Sequence, residues 1–98
     1  MYMFSGFTSK ASEALNDAIN IAAELGHTYI GSEHMLLGII KEGSGVAAKV
    51  LSEHGVTYDS IEKQLKETVG TGVQTSLTPA DYTPRSKRIL EMAVAASR

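Results

Sequence analysis

The sequence predicts an all-α fold, and three observations lead to that prediction. Apolar residues recur along most of the chain at the i, i+3, i+4, i+7 spacing of an amphipathic helix. Glycines and capping residues interrupt this pattern at intervals that suit short helices. No stretch alternates apolar and polar residues with the period of two that a half-buried strand shows, so we expect no sheet.

The first half of the chain contains the signals of two helices. Thr8 or Ser9 can cap the first helix, and Gly26 supplies a left-handed stop. Its apolar positions form one face: Ala11, Ala14, Leu15, Ala18, Ile19, Ala22 and Leu25. The second helix starts at Ser32 and is apolar almost all round, so we expect it to be the buried centre of the fold. Its apolar residues are Met35, Leu36, Leu37, Ile39 and Ile40.

Three further helices are predicted after the break at residues 42–45. Val46 begins the third helix and Gly55 ends it, while Thr57 or Asp59 caps a fourth that Gly70 stops. The buried face of the fourth is expected to hold Tyr58, Ile61, Leu65 and Val69. Residues 71–82 are rich in Gly, Thr and Ser and carry no helical period, which indicates a linker. Thr83 and Pro84, a cap followed by proline, start a fifth helix that runs to the end.

Composition limits the class of protein. The chain has 98 residues, enough for one domain, and no cysteine, which excludes disulfides and thiolate chemistry. Net charge is −2, with −5 on residues 1–81 and +3 on residues 82–98. An acidic bulk argues against nucleic acid as a partner. The chain has no apolar run long enough for a membrane span and no signal-peptide pattern, so we expect a cytoplasmic protein without membrane contact.

A weak internal repeat relates the two ends of the chain. A shift of 75 residues places Thr8 on Thr83, Leu15 on Leu90 and Ala18 on Ala93. The aromatic-Thr-x-basic start is shared as well, since residues 7–10 read FTSK and residues 82–85 read YTPR. If the repeat is real, the second copy stops after its first helix.

Residues 26–43, with the sequence GHTYIGSEHMLLGIIKEG, are similar to the Clp repeat pattern G-H-x-x-[IV]-G-[ST]-E-H-[ILM]-L-L-G-[IL]. GVAAKVL at 45–51 and YTPRSK at 82–87 continue the likeness. The chain thus resembles the N-terminal domain of ClpC-type Clp AAA+ chaperone ATPases over about residues 4–98. The resemblance implies a single domain over residues 1–98: a four-helix repeat at about 4–70, a linker at about 71–82, and the first helix of a second repeat at 83–98.

The resemblance implies a docking domain that binds adaptor proteins and protein substrates for an ATP-driven unfoldase, and reaches a ClpP-type protease through the parent ATPase. No G-x-x-x-x-G-K-[ST] motif occurs, so we expect no ATP binding or hydrolysis by this chain. ATP would belong to ATPase domains that the chain lacks, and no other cofactor is expected. The alternative is a free-standing helical regulator that competes for adaptors without an attached ATPase.

The resemblance also implies a second role, the reading of phosphoarginine marks on substrates. Such a mark needs a helix start, a hydroxyl and a cation for its phosphate, and a carboxylate for its guanidinium. The family pattern assigns these parts to Thr8, Glu33 and Thr83, with Arg85 and Lys87 as candidate cations. It also suggests Phe4 and Tyr82 as an exposed aromatic contact for peptides or small molecules.

Simpler roles compete with each of these assignments. Thr8 and Thr83 are helix caps in any case, and Glu33 is an ordinary first-turn acid. His34 is expected to be a hydrogen-bonded packing residue, because it lies beside the apolar face of the second helix. Neither His34 nor His27 has a zinc-binding spacing. Arg85, Lys87 and Arg88 could form a merely solvated helix face. No catalytic or metal-binding set is evident, so we expect no enzymatic activity.

The fifth helix raises a question of packing. Its apolar residues lack the rest of their own repeat, and these are Ile89, Leu90, Ala93 and Val94. We expect this face to pack on the first repeat, or on a neighbouring chain in a swapped dimer.

Overall fold

The computed structural model describes Tyr2 and residues 4–43 and 46–96. For residues 46–48 and 93–96 it describes the backbone, and for the others the side chains as well. Five α-helices follow one another: α1 (Ser9–Glu24), α2 (Ser32–Glu42), α3 (Val46–Glu53), α4 (Tyr58–Thr68) and α5 (Pro84–Ala96). The all-α prediction is confirmed, since the described residues contain no strand and a single isolated bridge, between Ile30 and Tyr82. No helix in this part of the chain is long and apolar enough to cross a membrane.

The predicted helix starts are confirmed where the structure shows them. Thr8 caps α1 by accepting a hydrogen bond from the Ala11 amide, and Thr57 caps α4 in the same way. Gly26 follows α1 in the left-handed conformation, with φ of 78°. A Cβ at Gly26 would also collide with the backbone of Gly72, so glycine is required there twice over.

α1, and not α2, is the buried centre, so the expectation for α2 is wrong. Nine of the residues of α1 are buried, whereas α2 buries His34, Leu37 and Gly38 and leaves its other apolar residues half-buried. α1 is more buried than α2 because other parts of the chain contact it on more than one side. α2 lies against α1 so closely that a Cβ on Gly38 would overlap the Ala14 carbonyl. Core residues on both faces of α1 then meet different neighbours.

Two hydrophobic clusters flank α1. The first contains Leu15, Ala18, Ile19, Ala22, Ile30 and Tyr82, and half-buried Leu90 of α5 packs against it. The second joins Ile21 and Leu25 of α1 to residues of α2 and α4, namely Leu37, Ile61 and Leu65. α5 therefore packs on the first repeat through Leu90, as one of the two alternatives predicted. Ala93 and Val94 lie outside the described side chains, and the swapped dimer stays a prediction.

The segment predicted as a linker is hydrogen-bonded to the helices. The amides of Gly72 and Thr75 donate to Leu25 O at 3.0 Å and Ala23 O at 2.9 Å, at the end of α1. Pro79–Asp81 then form a short 3-10 helix capped by Thr78. Val69, predicted on the buried face of α4, is instead the exposed residue that follows the helix. The segment without helical period is therefore bonded across the first repeat, and we call residues 70–82 the strap.

Candidate functional site

The start of α5 combines a helix cap with two exposed cations. Thr83 Oγ1 accepts from the Ser86 amide at 3.1 Å and donates to Ser86 Oγ at 2.9 Å. Arg85 and Lys87 are exposed, and the first turn of α5 holds no acidic residue. The positive end of the helix dipole and the two positive side chains therefore both favour an anion at the start of α5.

Few backbone amides remain open at this helix start. Pro84 has no N–H, and the amides of Thr83, Ser86 and Lys87 donate to Ile30 O, Thr83 Oγ1 and Thr83 O. The Arg85 amide is the one in this first turn, among the residues described, for which no protein acceptor is present. An anion bound here would meet one backbone donor and two flexible cations.

The start of α1 has the same cap but different donors. Thr8 Oγ1 accepts from the Ala11 amide at 3.1 Å, and Ser12 N donates to Thr8 O at 2.9 Å. The amides of Ser9 and Lys10 have no protein acceptor in the described part of the chain. The Lys10 ammonium lies 3.8 Å from a Glu42 carboxylate oxygen, which offsets its charge.

Tyr82 is buried, so the expected exposed aromatic pair is wrong for this residue. Its side chain is 3% exposed, and its hydroxyl donates to Leu15 O at 2.7 Å. Burial raises the pKa of the phenol well above its usual value of 10. The bridge to Ile30 is the physical reason, because it places Tyr82 beside α1, where an O–H can satisfy a backbone carbonyl.

Phe4 lies on the outer side of Tyr82. The two rings meet edge to face with centroids 6.1 Å apart, and Phe4 is half-buried against the first cluster together with Phe7. The pair therefore exists as predicted, with Phe4 as its accessible member. Whether either ring contacts a ligand stays a prediction.

Glu33 is exposed in the first turn of α2, as predicted, and faces α4. Its side chain lines a small cleft with four residues of α4 and its end: Gln64, Leu65, Thr68 and Val69. Thr8 and Thr83, the caps of α1 and α5, directly follow Phe7 and Tyr82 in the chain. Tyr82 belongs to the first hydrophobic cluster and Phe7 packs against it, whereas Leu65 in the cleft of Glu33 belongs to the second. A backbone link joins the chain before α2 to the start of α5: Ile30 N donates to Asp81 O, and Thr83 N donates to Ile30 O, each at 3.0 Å. Two residues, Gly31 and Ser32, separate Ile30 of this bridge from Glu33.

Sequence reasoning missed the contacts of two buried polar residues, Ser86 and His27. Ser86 is 1% exposed and engages the Thr83 hydroxyl, and the periodic pattern alone treats it as an ordinary helix residue. His27 is buried against His34, so the packing role predicted for His34 is confirmed, but its partner was not foreseen. The signal for His27 was its position beside Gly26, in a link that must fold back onto the helices.

The described residues contain no group of three or more metal-ligating side chains, and none of their buried side-chain nitrogen or oxygen atoms lacks a hydrogen-bond partner. The geometry thus offers an anion-attracting helix start and an accessible aromatic ring, while the Glu33 carboxylate lies on the side of α2 that faces α4. This combination suits recognition of a charged peptide group.

Comparison with known proteins gives the class. The family model of the Clp repeat (R) N-terminal domain matches residues 6–98, and the chain belongs to this family. It is a Clp N-terminal domain related to ClpC, ClpA and ClpB proteins.

Individual relatives make the likeness specific. "Negative regulator of genetic competence ClpC/MecB" of Bacillus subtilis (strain 168) is 41% identical over 96 residues, which cover 98% of this chain and 12% of that protein. "Chaperone protein ClpB" of Oceanobacillus iheyensis is 38% identical over 91 residues, or 93% of this chain and 11% of that protein. "Chaperone protein ClpC1, chloroplastic" of Oryza sativa subsp. japonica is 38% identical over 96 residues, which cover 98% of this chain and 10% of that protein. The chain thus spans about a tenth of the length of these relatives.

Proposed function

We propose that this domain is a docking module that binds adaptor proteins and protein substrates for a Clp unfoldase. The observation that supports the proposal most is the start of α5, where Thr83, Arg85 and Lys87 present a hydroxyl-capped helix end and two exposed cations in a family of chaperone domains. An acidic or phosphorylated peptide group is the natural ligand for such a helix end.

We further propose that the ligand is a phosphoarginine mark. In that group the phosphate is bonded to a guanidinium nitrogen, so its anionic and cationic parts are adjacent. The phosphate would take the Arg85 amide and the side chains of Arg85 and Lys87, while Glu33 would take the guanidinium. Thr8 would serve as the corresponding helix start of the first repeat. Phe4, as the accessible ring, would contact the apolar part of the peptide, with Tyr82 behind it.

Related roles follow from the same proposal. We propose that the domain itself is non-catalytic, carries no cofactor, and acts in the cytoplasm with a ClpP-type protease that it reaches through an attached ATPase. Adaptors would compete with marked substrates for this surface. The alternative, a free-standing regulator, stays a prediction, and the reading frame after residue 98 distinguishes it.

Fluorescence anisotropy of a labelled peptide tests the mark-reading proposal. One peptide carries phosphoarginine and its twin carries arginine, and both are titrated with the wild-type domain and with Glu33→Gln and Arg85→Gln/Lys87→Gln variants. We expect binding of the phosphoarginine peptide only, weakened about tenfold or more by either variant, since each removes a charge-assisted contact. Lys63→Gln, on the exposed face of α4, is the matched control and should bind like the wild type.

Other outcomes separate the parts of the proposal. Equal binding of both peptides would contradict the reading of the mark and leave a general docking surface. Binding of the marked peptide that survives both variants would contradict the assigned residues. Absence of binding to any peptide, together with capture of an adaptor by the same domain, would support docking without mark reading.

A further inference from the structure

Two buried imidazoles connect the loop between α1 and α2 to the end of α4. His27 is 4% exposed and His34 is fully buried. His27 Nδ1 lies 2.7 Å from His34 Nε2, His27 Nε2 lies 2.8 Å from Gly70 O, and the Gly31 amide donates to His34 Nδ1 at 2.9 Å. The result is one continuous chain of three hydrogen bonds from Gly31 to Gly70.

The two ends of this chain fix where the ring protons are. Gly31 N–H can only donate, so His34 Nδ1 is the acceptor and its proton is on Nε2. That proton is donated to His27 Nδ1, and the His27 proton is on Nε2, donated to Gly70 O, which can only accept. Three bonds need three hydrogens, and two neutral rings with the Gly31 amide supply three.

An added proton therefore has no place in the chain. On His34 Nδ1 it would face the Gly31 N–H, and on His27 Nδ1 it would face the His34 N–H. In either position two donors meet at hydrogen-bond distance inside a buried site, which costs both the bond and the desolvation of the charge. The chain is intact only while both rings are neutral.

The chain fastens the beginning of the strap to the first repeat. Beyond Gly70, the amides of Gly72 and Thr75 bond to the end of α1, and Thr75 Oγ1 donates to His27 O at 2.6 Å. His27 is thus bonded to the strap through both its side chain and its carbonyl. Loss of the bond between His27 Nε2 and Gly70 O therefore removes the first of the hydrogen bonds that hold residues 70–75 to the end of α1.

We propose that His27 and His34 form a pH-sensitive latch, in which uptake of a proton releases residues 70–75 from the end of α1. The proposal does not depend on the docking function. It rests on the hydrogen-bond chain, the burial of both rings and the strap that they hold.

The surroundings of the pair contain little that could stabilise an added charge. The Tyr29 ring stacks on His27 with centroids 6.0 Å apart and meets His34 edge to face at 5.6 Å. Residues 70–80 of the strap contain no ionisable side chain. Glu24 of α1, Glu33 of α2, and Lys63, Lys66 and Glu67 of α4 are exposed to solvent. Burial, with the neighbouring His27 as a smaller cause, lowers the pKa of His34 from 6.5 to about 4.

The sign of the pH effect follows from that lowered pKa. The closed latch binds its proton less readily than an open one, so its stability is complete above pH 6.5 and is lost as the pH falls toward 4. With these two pKa values the equilibrium constant for opening rises about 20-fold between pH 7 and pH 5.

NMR of the whole domain tests the latch. Long-range ¹H–¹⁵N spectra at pH 7 should show His27 and His34 as neutral rings protonated on Nε2. Amide exchange, normalised for the intrinsic rate, should accelerate about 20-fold from pH 7 to pH 5 at Gly72 and Thr75. The amides of Ile30 and Thr83, which form the bridge, should keep their protection.

Variants sharpen the same measurement. His27→Gln removes the imidazole that links His34 to Gly70 O and should abolish the acid-dependent acceleration at Gly72 and Thr75. His54→Gln is the matched control, because the His54 ring is exposed just after α3 and its Nδ1 lies 2.9 Å from the Val50 carbonyl oxygen, away from the strap. It should behave like the wild type. If His27→Gln does not fold, the wild-type spectra still decide.

Three results would overturn the latch. A proton found on Nδ1 of either ring at pH 7 would contradict the chain. Unchanged protection of Gly72 and Thr75 down to pH 5 would show that protonation does not release the strap. Simultaneous opening of the Ile30–Thr83 bridge would show general acid unfolding instead of a local release.

Discussion

The starts of α1 and α5 share a cap but differ in what they offer to a ligand. Thr8 and Thr83 each accept a hydrogen bond from the third following amide. At α1 the amides of Ser9 and Lys10 remain open, and Lys10 is near a carboxylate. At α5, proline and the bridge to Ile30 remove amides, while Arg85 and Lys87 supply charge. One repeat pattern thus yields a donor-rich start and a cation-rich start.

The bodies of the two helices differ as well. Ala14 and Leu15 of α1 are each 7% exposed, while their repeat partners Ile89 and Leu90 are 41% exposed and half-buried. The difference lies in the neighbours, because Gly38 of α2 lies against Ala14 and the Ile30–Tyr82 bridge covers Leu15, whereas α5 packs on the first repeat through Leu90. The pattern of apolar residues indicates which face of a helix can be buried, and the packing of the rest of the chain determines whether that face is buried. Four predictions test this comparison, from the largest expected effect to the smallest.

The closest contact of α1 should give the largest effect. Gly38→Ala places a methyl group against the Ala14 carbonyl, so α1 and α2 must separate, and we expect a loss of at least about 3 kcal/mol in the free energy of unfolding. Urea denaturation measures it. Gly55→Ala is the control: it has open space around the new methyl and should lose only about 1 kcal/mol through its positive φ. Equal losses would contradict the close packing of α1 and α2.

The paired leucines compare the two helix bodies directly. Leu15→Ala empties a core position and should cost about 2–3 kcal/mol, whereas Leu90→Ala at the half-buried position should cost about 1 kcal/mol. Thermal and urea unfolding of both variants give the difference. A greater loss for Leu90→Ala would mean that α5 is covered more fully than α1.

The two caps compare the helix starts. Thr8→Ala should cost about 1 kcal/mol, because it removes one exposed capping bond. Thr83→Ala should cost about 1 kcal/mol more, since it also leaves the buried Ser86 hydroxyl without its partner. The double variant Thr83→Ala/Ser86→Ala should recover part of that loss. Strictly additive losses would refute the coupling of these two hydroxyls.

The exposed side of α5 should give the smallest effect. Met92 is 62% exposed, so Met92→Ser should change the unfolding free energy by less than about 0.5 kcal/mol. Its sedimentation behaviour, compared with the wild type at high concentration, tests the swapped dimer. A substantial destabilisation that depends on protein concentration would reveal a partner covering this face.

Much of the fold could be predicted because helix signals are local. Thr8, Thr57 and Thr83 act as caps, and Gly26 ends α1 as its conformation requires. The burial of α1 in place of α2 could not be read from periodicity, because it depends on which helices cover which faces. The strap was equally hidden, since its bonds to Ala23 and Leu25 join residues about fifty positions apart.

The candidate site was predictable in type and less so in arrangement. The caps and cations could be identified by their spacing and by the family resemblance. The family resemblance suggested Tyr82 as an accessible ring, yet its bridge to Ile30 and its bond to Leu15 O bury it. The orientation of Glu33 toward α4 likewise depends on tertiary packing that a single sequence does not state.

Amide NMR titration with phosphoarginine tests the central claim most directly, with free arginine and inorganic phosphate as controls. We expect phosphoarginine to shift Thr83, Arg85, Lys87 and Glu33 more than Thr8, because the start of α5 carries the cations. These shifts should disappear in Glu33→Gln. Equal shifts with inorganic phosphate, or a flat spectrum with phosphoarginine, would contradict a mark-reading site in this domain.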